Sequence, residues 1–502
     1  MTDESILLFS PAVDEDSFMP MINAGLGAVG GWLKKEGYDF DQKSMMAECR
    51  YRNHYRFRKD AVDLSVFERE RVISYLRGND DPEISRESRK MAEILKIDEY
   101  DILLVSSKSD GALMTALPLL REHAEDKLVV IGGSHTLTNE LDIVRLPFID
   151  YGVRGDGEIP ISAILEHELD GEPLDAPGIV RMEGGELKRN EPYKHPLNMK
   201  PAPYYEQEIL EKIKDISYYD RALIPYQFGD GCTQDCSFCN YFENQKYQYK
   251  DIEKVISELE GLKAETGSNA VFFTDSNLFN DPNYVERFAE SIEKRGLDID
   301  WGSQAIILAR RQEFFDKLAE SGFKTLFHGI ESASDTVLHR MHKAESRRMI
   351  EETLEKESNA GIKPFGFFIT DFVNETMEEY YETVDFFREQ TDLVGAGIYR
   401  LEIYKDENMP LYSDSGSFDI ELIENDYRDF IERSLPVPLD FREKGKPRND
   451  SLGKSKLQDM QKKADYHLFL KNFGTKNPSK FLRKMLHKTY KKDYRDYSWL
   501  YA

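Results

Sequence analysis

Cysteine is scarce in this chain, with four residues among 502, and so is tryptophan, with three. Four cysteines, three of them close together, do not make a disulfide framework, so we expect the reducing cytoplasm as the compartment. No apolar run approaches the roughly 18 residues that cross a membrane. The N-terminus, MTDESILLFSP, lacks the basic start and long apolar core of a signal peptide and indicates a short strand.

Positive charge is also in short supply. The chain has 67 lysine and arginine residues against 93 aspartate and glutamate residues, which gives a formal net charge of −26. A general polyanion binder needs clustered basic side chains to neutralise phosphates, so nucleic acid is not expected as a partner. The simplest consequence of the charge is solubility.

The chain does have enough apolar residues for large cores, at 40% of the sequence, and enough length for two or three domains. The first block, residues 1–195, alternates apolar strands with helical segments. The strands are SILLFS, DILLVSS, KLVVIGG and FIDYGVRG; the segment MINAGLGAVGGWLKKEG is typical of a helix that ends at a glycine. This alternation predicts an α/β fold, a Rossmann-like parallel sheet with helices on both faces. A charged helical insertion is predicted at about residues 42–96.

The second block, residues 196–415, repeats the alternation on a larger scale. Its predicted strands are ALIPYQF, VFFTD, DIDWGSQAI, KTLFHGI, PFGFFIT and GAGIYRLEIY. Six β/α repeats predict a partial (β/α)6 barrel of the TIM type, in which the carboxyl ends of the strands carry the chemistry. The remaining region, residues 416–502, is predicted to be helical.

Three of the four cysteines fall in one short stretch, GDGCTQDCSFC, as Cys232, Cys236 and Cys239. A structural zinc site normally has four protein ligands, and the fourth cysteine, Cys49, lies far upstream in another domain. A [4Fe-4S] cluster held by three thiolates suits the count better, because one iron then stays open to a substrate or cofactor. Both alternatives remain open on spacing alone.

The stretch resembles the cluster motif of the radical S-adenosylmethionine (SAM) superfamily, C-x-x-x-C-x-x-C with an aromatic residue before the last cysteine. Four later segments resemble motifs of that family in the same order: FFTDSNLFND, HGIESASDTVLHRMHK, GFFITDFVNETMEE and ENMPLY. The resemblance implies that SAM binds the open iron and is cleaved to a 5′-deoxyadenosyl radical, with an electron from an external flavodoxin or ferredoxin. It also implies the SAM contacts Phe238, Asp275, Asn277, Gln304 and Glu331.

The first block resembles the cobalamin-binding domain that precedes this barrel in one large subgroup. The matching pieces are INAGLGAVGGWLKKEGYD, DILLVSS, VVIGGSHTLT and DYGVRGDGE. No histidine stands in the D-x-H-x-x-G context, so the resemblance implies cobalamin without histidine ligation. The implied cobalamin contacts are Ser106, Gly132, Gly133, His135, Thr136, Gly155 and Gly157; each glycine alone could equally make a tight turn.

The cysteine count limits the reactions that this resemblance allows. A methylthiotransferase needs a second cluster, and no cysteine follows Cys239. The leading prediction is therefore cobalamin-dependent methylation of an unactivated carbon in a small molecule or peptide. The alternative is a rearrangement, cyclisation or other hydrogen abstraction without methyl transfer. A non-catalytic iron–sulfur or zinc protein is the third hypothesis, against which the SAM-like segments count.

Overall fold

The computed structural model of the chain describes residues 4–12, 22–48, 62–107, 110–133, 141–216, 222–239, 247–370, 372, 375–390 and 392–401. The chain forms two compact units that divide between Pro225 and Tyr226. The predicted helical region at 416–502 lies outside the described residues, as do Cys49, His135, Thr136 and the ENMPLY segment.

The first unit is built on a mixed sheet. Its strands are β1 (Ile6–Ser10), β2 (Asp41–Ser44), β3 (Ile102–Ser106), β4 (Leu128–Gly132), β5 (Tyr151–Val153), β6 (Ile179–Glu183) and β7 (Glu186–Arg189). They follow the order β2-β1-β3-β4-β5-β6-β7. Strands β1 to β5 pair in parallel, whereas β6 and β7 extend the edge as antiparallel strands. The predicted Rossmann-like parallel sheet is therefore present, with an antiparallel addition that the sequence pattern did not indicate.

Helices cover both faces of this sheet. They are α1 (Ala24–Glu36), α2 (Met45–Glu48), α3 (Arg69–Leu76), α4 (Pro82–Leu95), α5 (Asp110–His123), α6 (Glu158–Asp170) and α7 (Gln207–Ile216). In β1, Ile6 and Leu8 join a core with residues of α1, α6 and α7. Leu7 and Phe9, which alternate with them, are also fully buried. Burial of both alternating sets is what a strand covered on two faces requires.

Two boundaries in the first unit differ from the prediction. The insertion predicted at about 42–96 does contain α3 and α4, but Asp41–Ser44 forms the edge strand β2 beside β1. The predicted domain boundary at 195/196 also differs from the division at Pro225, because Ile209 and Ile213 of α7 pack into the core of the first sheet. The charged composition of the insertion hides the short strand, whose Gln42 and Ser44 are buried polar residues.

The second unit holds the predicted six β/α repeats. Its strands are β8 (Ile224–Tyr226), β9 (Gly229–Asp230), β10 (Gln248–Tyr249), β11 (Ala270–Phe273), β12 (Asp300–Ala305), β13 (Phe323–Glu331), β14 (Lys363–Thr370) and β15 (Gly395–Arg400). Six of them form a sheet in the sequential order β8-β11-β12-β13-β14-β15, and the pairs from β11 to β15 are parallel. Strands β9 and β10 pair with each other only, as an antiparallel ribbon.

The helices of the second unit alternate with these strands. They are α8 (Ile252–Thr266), α9 (Pro282–Arg295), α10 (Gln312–Glu320), α11 (Asp335–Arg340), α12 (Arg347–Asn359) and α13 (Met377–Glu389). The sequence specifies where they begin and end: Asp281 accepts hydrogen bonds from the amides of Asn283 and Tyr284 at the start of α9, and Gly296 ends it in the left-handed conformation. None of the helices that the structure describes is long and apolar enough to span a membrane.

The core of the second unit lies between the sheet and its helices. Val271, Phe273, Trp301 and Leu326 pack there against Val255, Phe288 and Phe315 of the helices. Because side chains alternate along a strand, Phe272 and Phe327 face the opposite, inner side, where their rings lie 5.4 Å apart. The carboxyl ends of the parallel strands share one edge, and the cysteine stretch follows the first of them.

Candidate active site

The cysteines lie on a loop that leaves the sheet after β8 and returns through β10. The base of this loop is the β9–β10 ribbon, in which Gly229 pairs with Tyr249. A Cβ atom at Gly229 would lie 2.6 Å from Tyr249 Cε1 and 2.6 Å from Asp275 Oδ1, so only glycine fits. The Tyr249 ring in turn stacks on Tyr284 at 4.1 Å, and its hydroxyl donates to the Leu278 carbonyl at 3.1 Å. The base of the loop is therefore packed tightly against other residues of the second unit.

Asp275 directly supports this base. It follows β11, is 1% exposed, and accepts a hydrogen bond at Oδ1 from the Gly229 amide. Its Oδ2 atom is buried and has no hydrogen-bond partner among the described residues. Burial raises the pKa of Asp275 well above its ordinary value, and the backbone amides that bond to it only partly offset this. Asp275, which the sequence predicts as a SAM contact, thus holds the cysteine loop with one of its two carboxyl oxygens.

Two asparagines after β11 connect the loop to the neighbouring strands. Asn277, which is 1% exposed, accepts at Oδ1 from the amides of Phe279 at 3.1 Å and Ile306 at 3.3 Å. Its Nδ2 donates to Asn280 Oδ1 at 3.0 Å. Asn280 donates through Nδ2 to the Gly231 carbonyl at 2.8 Å and accepts at Oδ1 from the Thr233 amide at 3.1 Å. The peptide groups on both sides of Cys232 are therefore bonded to one side chain.

The second half of the motif is attached elsewhere. The Ser237 amide donates to the Met341 carbonyl at 3.0 Å, and the Ser237 hydroxyl donates to the Arg340 carbonyl at 3.1 Å. Both carbonyls belong to the end of α11, after β13. The Cys239 amide donates to the Cys236 carbonyl at 3.1 Å, which closes a turn between these two cysteines. Cys232 and the Cys236–Cys239 turn are thus held by loops from two different strands.

The three cysteine side chains are half-buried on this loop. Burial raises the pKa of the Cys236 thiol to about 12, although the nearby Lys343 ammonium opposes the shift. Among the described residues, no three His, Cys, Asp or Glu side chains converge as one metal ion requires. Phe238, between the last two cysteines, is half-buried.

Glu331 ends β13 in an unusual conformation. Its φ is +67°, in the left-handed region that a glutamate rarely adopts, and the pairing with β14 shifts register between Gly329 and Glu331. A Cβ atom at Gly329 would lie 2.5 Å from Glu331 Oε1, so the carboxyl group folds back over this glycine. Burial raises the pKa of Glu331 to about 7, opposed by Lys343 and assisted by Glu345. Strained backbone at the carboxyl end of a strand is typical of a functional position.

Lys343 also belongs to the candidate active site, although the sequence motifs do not indicate it. Its side chain is 3% exposed, its Nζ donates to the Gly329 carbonyl and lies 3.4 Å from Glu345 Oε1, and the Glu345 side chain is 4% exposed. Burial lowers the pKa of Lys343, but Glu331 and Glu345 outweigh it, so the pKa is raised. Lys343 and Asn280 both lie inside quoted motif segments, yet nothing in their spacing indicates which side chains turn inward.

Below these polar groups the inner face of the sheet is apolar. Phe327 contacts Phe365 at 5.2 Å and Phe367 at 5.9 Å between ring centroids, and Phe367 contacts Tyr399 at 6.0 Å. Gln304, predicted as a SAM contact, is half-buried near the end of β12. Polar groups at the strand ends above an aromatic floor can bind the charged part of a small molecule and keep water from an apolar part.

Five of the predicted cobalamin contacts are among the described residues and lie at the carboxyl edge of the first sheet: Ser106, Gly132, Gly133, Gly155 and Gly157. Ser106 ends β3, and its carbonyl accepts from Asn23 Nδ2 at 3.0 Å at the start of α1. A Cβ atom added at Gly133 would lie 1.9 Å from the Ser107 carbonyl oxygen, and one added at Gly155 would lie 2.0 Å from the Tyr193 carbonyl oxygen. Both glycines also have positive φ. Gly132 and Gly157 also lie against protein atoms, of Val153 and Ile161. Internal packing alone accounts for each of these glycines.

A buried polar cluster braces the turn after β5. Asp156 Oδ2 accepts from the His195 amide at 2.8 Å and lies 2.9 Å from Lys200 Nζ, while the Tyr193 hydroxyl bonds to His195 Nδ1 at 2.6 Å. Burial lowers the pKa of His195, so its ring is neutral near pH 7. Asp156, Tyr193, His195 and Lys200 are thus paired with one another, whereas His195 Nε2 and Arg154 Nε are buried without a hydrogen-bond partner among the described residues.

A family model and several known proteins are similar to this chain. Residues 226–387 match the model of the Radical SAM superfamily. An uncharacterised methyltransferase from Pyrococcus horikoshii is 26% identical over 305 residues, which make up 59% of this chain and 66% of that protein, just under two thirds.

Two solved structures share the fold. The radical SAM methyltransferase TsrM from Kitasatospora setae, with tryptophan and a SAM analogue bound, has a TM-score of 0.60 at 16% identity and covers 85% of this chain and 77% of its own. The cobalamin-dependent SAM radical enzyme OxsB, with aqua-cobalamin and SAM bound, has a TM-score of 0.64 at 15% identity, covering 98% and 72%. Together with the cysteine loop at the strand ends, these findings identify residues 226–387 as a Radical SAM domain and show that the chain shares the fold of these two enzymes.

Proposed function

We propose that this chain is a radical SAM enzyme that uses cobalamin to methylate an unactivated carbon. The observation that carries the proposal is the cysteine loop, which is fixed at the strand ends beside Asp275 and Glu331. When bound, a [4Fe-4S] cluster supplies the electron that cleaves SAM, and cobalamin supplies a methyl carrier. The electron itself is expected from an external flavodoxin or ferredoxin.

The cysteines fit a cluster better than a single zinc ion. In a cubane cluster each cysteine binds a different iron, so the three sulfur atoms do not converge on one point. The described residues offer no such convergent group of ligands. Gly231, with φ of +88°, directs the backbone around Cys232. Cys232, Cys236 and Cys239 would hold the cluster.

The side chains at the strand ends fit the amino-acid part of SAM, which carries one positive and one negative group. The buried Lys343 ammonium would receive the carboxylate, and Glu331 or the unpartnered Asp275 Oδ2 would receive the ammonium. Asn277 holds the segment that follows Asp275 in place through its three side-chain hydrogen bonds, to Asn280, Phe279 and Ile306. Phe238 and Gln304 remain predicted contacts of SAM. The aromatic floor of Phe327 and Phe367 would exclude water from the reacting carbon.

The first unit supports cobalamin through its fold. Its strand order, with β1 between β2 and β3, creates a switch point at the carboxyl ends of β1 and β3, where such sheets bind ligands. Asn23 and Ser106 meet at this point. OxsB, whose structure contains aqua-cobalamin, shares the fold. The predicted contacts among the described residues remain Ser106, Gly132, Gly133, Gly155 and Gly157. Each of the glycines already lies against other protein atoms, and the Ser106 carbonyl already accepts a hydrogen bond from Asn23.

The experiment that tests the proposal supplies cobalamin during expression, reconstitutes the protein anaerobically, and adds methyl-labelled SAM with a chemical reductant. The expected products from candidate substrates are labelled product, 5′-deoxyadenosine and S-adenosylhomocysteine together. Deoxyadenosine without adenosylhomocysteine would replace methylation by another hydrogen-abstraction reaction. Stoichiometric zinc without iron or sulfide in anaerobically purified protein would overturn the radical mechanism itself.

A further inference from the structure

We infer that Asn280 is a positioning residue for the first cluster ligand, Cys232, an inference that rests on the proposed function. The side chain bonds to the backbone on both sides of this cysteine, through Nδ2 to the Gly231 carbonyl at 2.8 Å and through Oδ1 to the Thr233 amide at 3.1 Å. One planar amide therefore fixes two successive peptide groups, and with them the direction in which the Cys232 side chain leaves the backbone.

Asn280 is itself held in place. Its Oδ1 also accepts from Asn277 Nδ2 at 3.0 Å, and its Nδ2 also donates to the Asn277 carbonyl at 3.0 Å. Asn277 in turn bonds to the amides of Phe279 and Ile306. A chain of hydrogen bonds thus runs from the ends of β11 and β12 to Cys232. Because its members constrain one another, the position of Cys232 is set by the protein before any metal is present.

The other two cysteines do not depend on this asparagine. Their turn is attached through Ser237 to the end of α11 and closed by the bond between Cys239 and Cys236. Removing Asn280 should therefore release Cys232 alone. The cluster would keep two well-placed ligands and lose the placement of the third, which predicts assembly with a labile iron corner rather than loss of the whole site.

The test compares Asn280→Ala with Asn283→Ala, an exposed asparagine three positions further along the same segment. In the metal-free protein, peptide-resolved alkylation should be faster at Cys232 in Asn280→Ala and unchanged at Cys236 and Cys239. After reconstitution, iron release to a chelator should be about 10-fold faster, equivalent to about 1.4 kcal/mol, and the spectrum of the reduced cluster should change. Asn283→Ala should match the parent protein in each measurement.

Unchanged Cys232 alkylation and iron release in a folded Asn280→Ala protein would overturn the inference. Equal acceleration at all three cysteines would also overturn it, because it would show general loosening of the loop. If Asn280→Ala does not fold, Asn280→Asp keeps the acceptor for Thr233 and Asn277 Nδ2 but loses the donor to the Gly231 and Asn277 carbonyls, so a smaller but still Cys232-specific effect is expected. A parent protein that takes up no cluster would instead refute the proposed function, whereas the alkylation result needs no metal.

Discussion

The two large sheets of this protein differ in the side chains at the carboxyl ends of their parallel strands. In the second unit, the polar groups at that edge include an unpartnered buried carboxyl oxygen of Asp275 and a strained Glu331. In the first unit, Asn23 bonds to Ser106, Asp156 bonds to His195 and Lys200, and Gly133 and Gly155 pack against neighbouring backbone. His195 Nε2 and Arg154 Nε are also buried there without a hydrogen-bond partner among the described residues, but neither lies in a strained backbone. A strained backbone position together with an unpartnered buried carboxyl oxygen is typical of a functional site, and at the second edge both occur beside the cysteine loop. The candidate site in the second unit therefore rests on particular side chains, whereas the candidate site in the first unit rests on the fold of its sheet.

The largest expected effect comes from the cysteines. Replacing Cys232, Cys236 and Cys239 together by Ala should abolish iron and sulfide uptake, because the part of the chain that the structure describes holds no other cysteine thiol. Cys49→Ala is the matched control and should bind a full cluster. Iron content and the absorption that dithionite bleaches are measured. Iron retained by the triple variant would show that other residues bind the metal.

A second large effect is expected at Lys343. Lys343→Met leaves the buried Glu345 carboxylate without its cation, and removing one partner of a buried ion pair costs about 3–5 kcal/mol. The melting temperature of the second unit should fall clearly. Lys294→Met, an exposed lysine on α9, should leave it unchanged. Equal melting of the two variants would show that Lys343 is not part of a charged cluster in the folded protein.

Glu331→Gln tests the ligand role of that edge more finely. Gln keeps the size of the side chain and removes its charge, so the cluster should assemble normally while SAM binding weakens. Loss of a charge-assisted hydrogen bond costs about 1.5–3 kcal/mol, or roughly 10- to 150-fold in affinity. Deoxyadenosine formation should fall at limiting SAM and partly recover at high SAM. Loss of the cluster or of the fold would make Glu331 a structural residue.

Gly133→Ala tests whether packing within the protein alone requires this glycine at the carboxyl edge of the first sheet. The added methyl group would meet the Ser107 carbonyl oxygen at 1.9 Å at a φ of +122°, so the metal-free protein should lose about 1–3 kcal/mol of stability. Gly171→Ala shares the positive φ but has open space around it and should lose less. If Gly133→Ala kept its stability and lost only cobalamin, the glycine would be a ligand contact and the contrast between the edges would weaken.

The smallest effect is expected at Asp275, and it depends on pH. Since burial raises the pKa of this carboxyl above its ordinary value of 3.8, the neutral form is favoured in the folded chain and ionisation opposes folding. The parent protein should therefore lose stability relative to Asp275→Asn as the pH rises above about 4, until the raised pKa is passed. Melting temperatures of the metal-free proteins at a series of pH values measure this. A difference that shrank with rising pH would show the opposite sign of shift.

The sequence by itself determined the α/β architecture, because apolar strands and capped helices alternate visibly and each pattern has its own period. It also indicated a metal site at the cysteine stretch, since three thiols within eight residues are typical of metal ligands. The motif segments contained Asp275, Asn277 and Glu331, but the role of each could not be read from spacing. Asp41–Ser44 escaped prediction as a strand because its residues are polar and charged.

Only the tertiary structure decided which groups meet. Asn280 reaches Gly231 and Thr233 across nearly fifty residues of sequence, and Ser237 reaches α11 across more than a hundred. It also decided that Asp275 is fully buried, that Glu331 adopts a left-handed backbone, and that Lys343 turns inward beside it. These properties depend on how the ends of separate strands come together at one edge, and local sequence preferences carry no information about contacts at that distance.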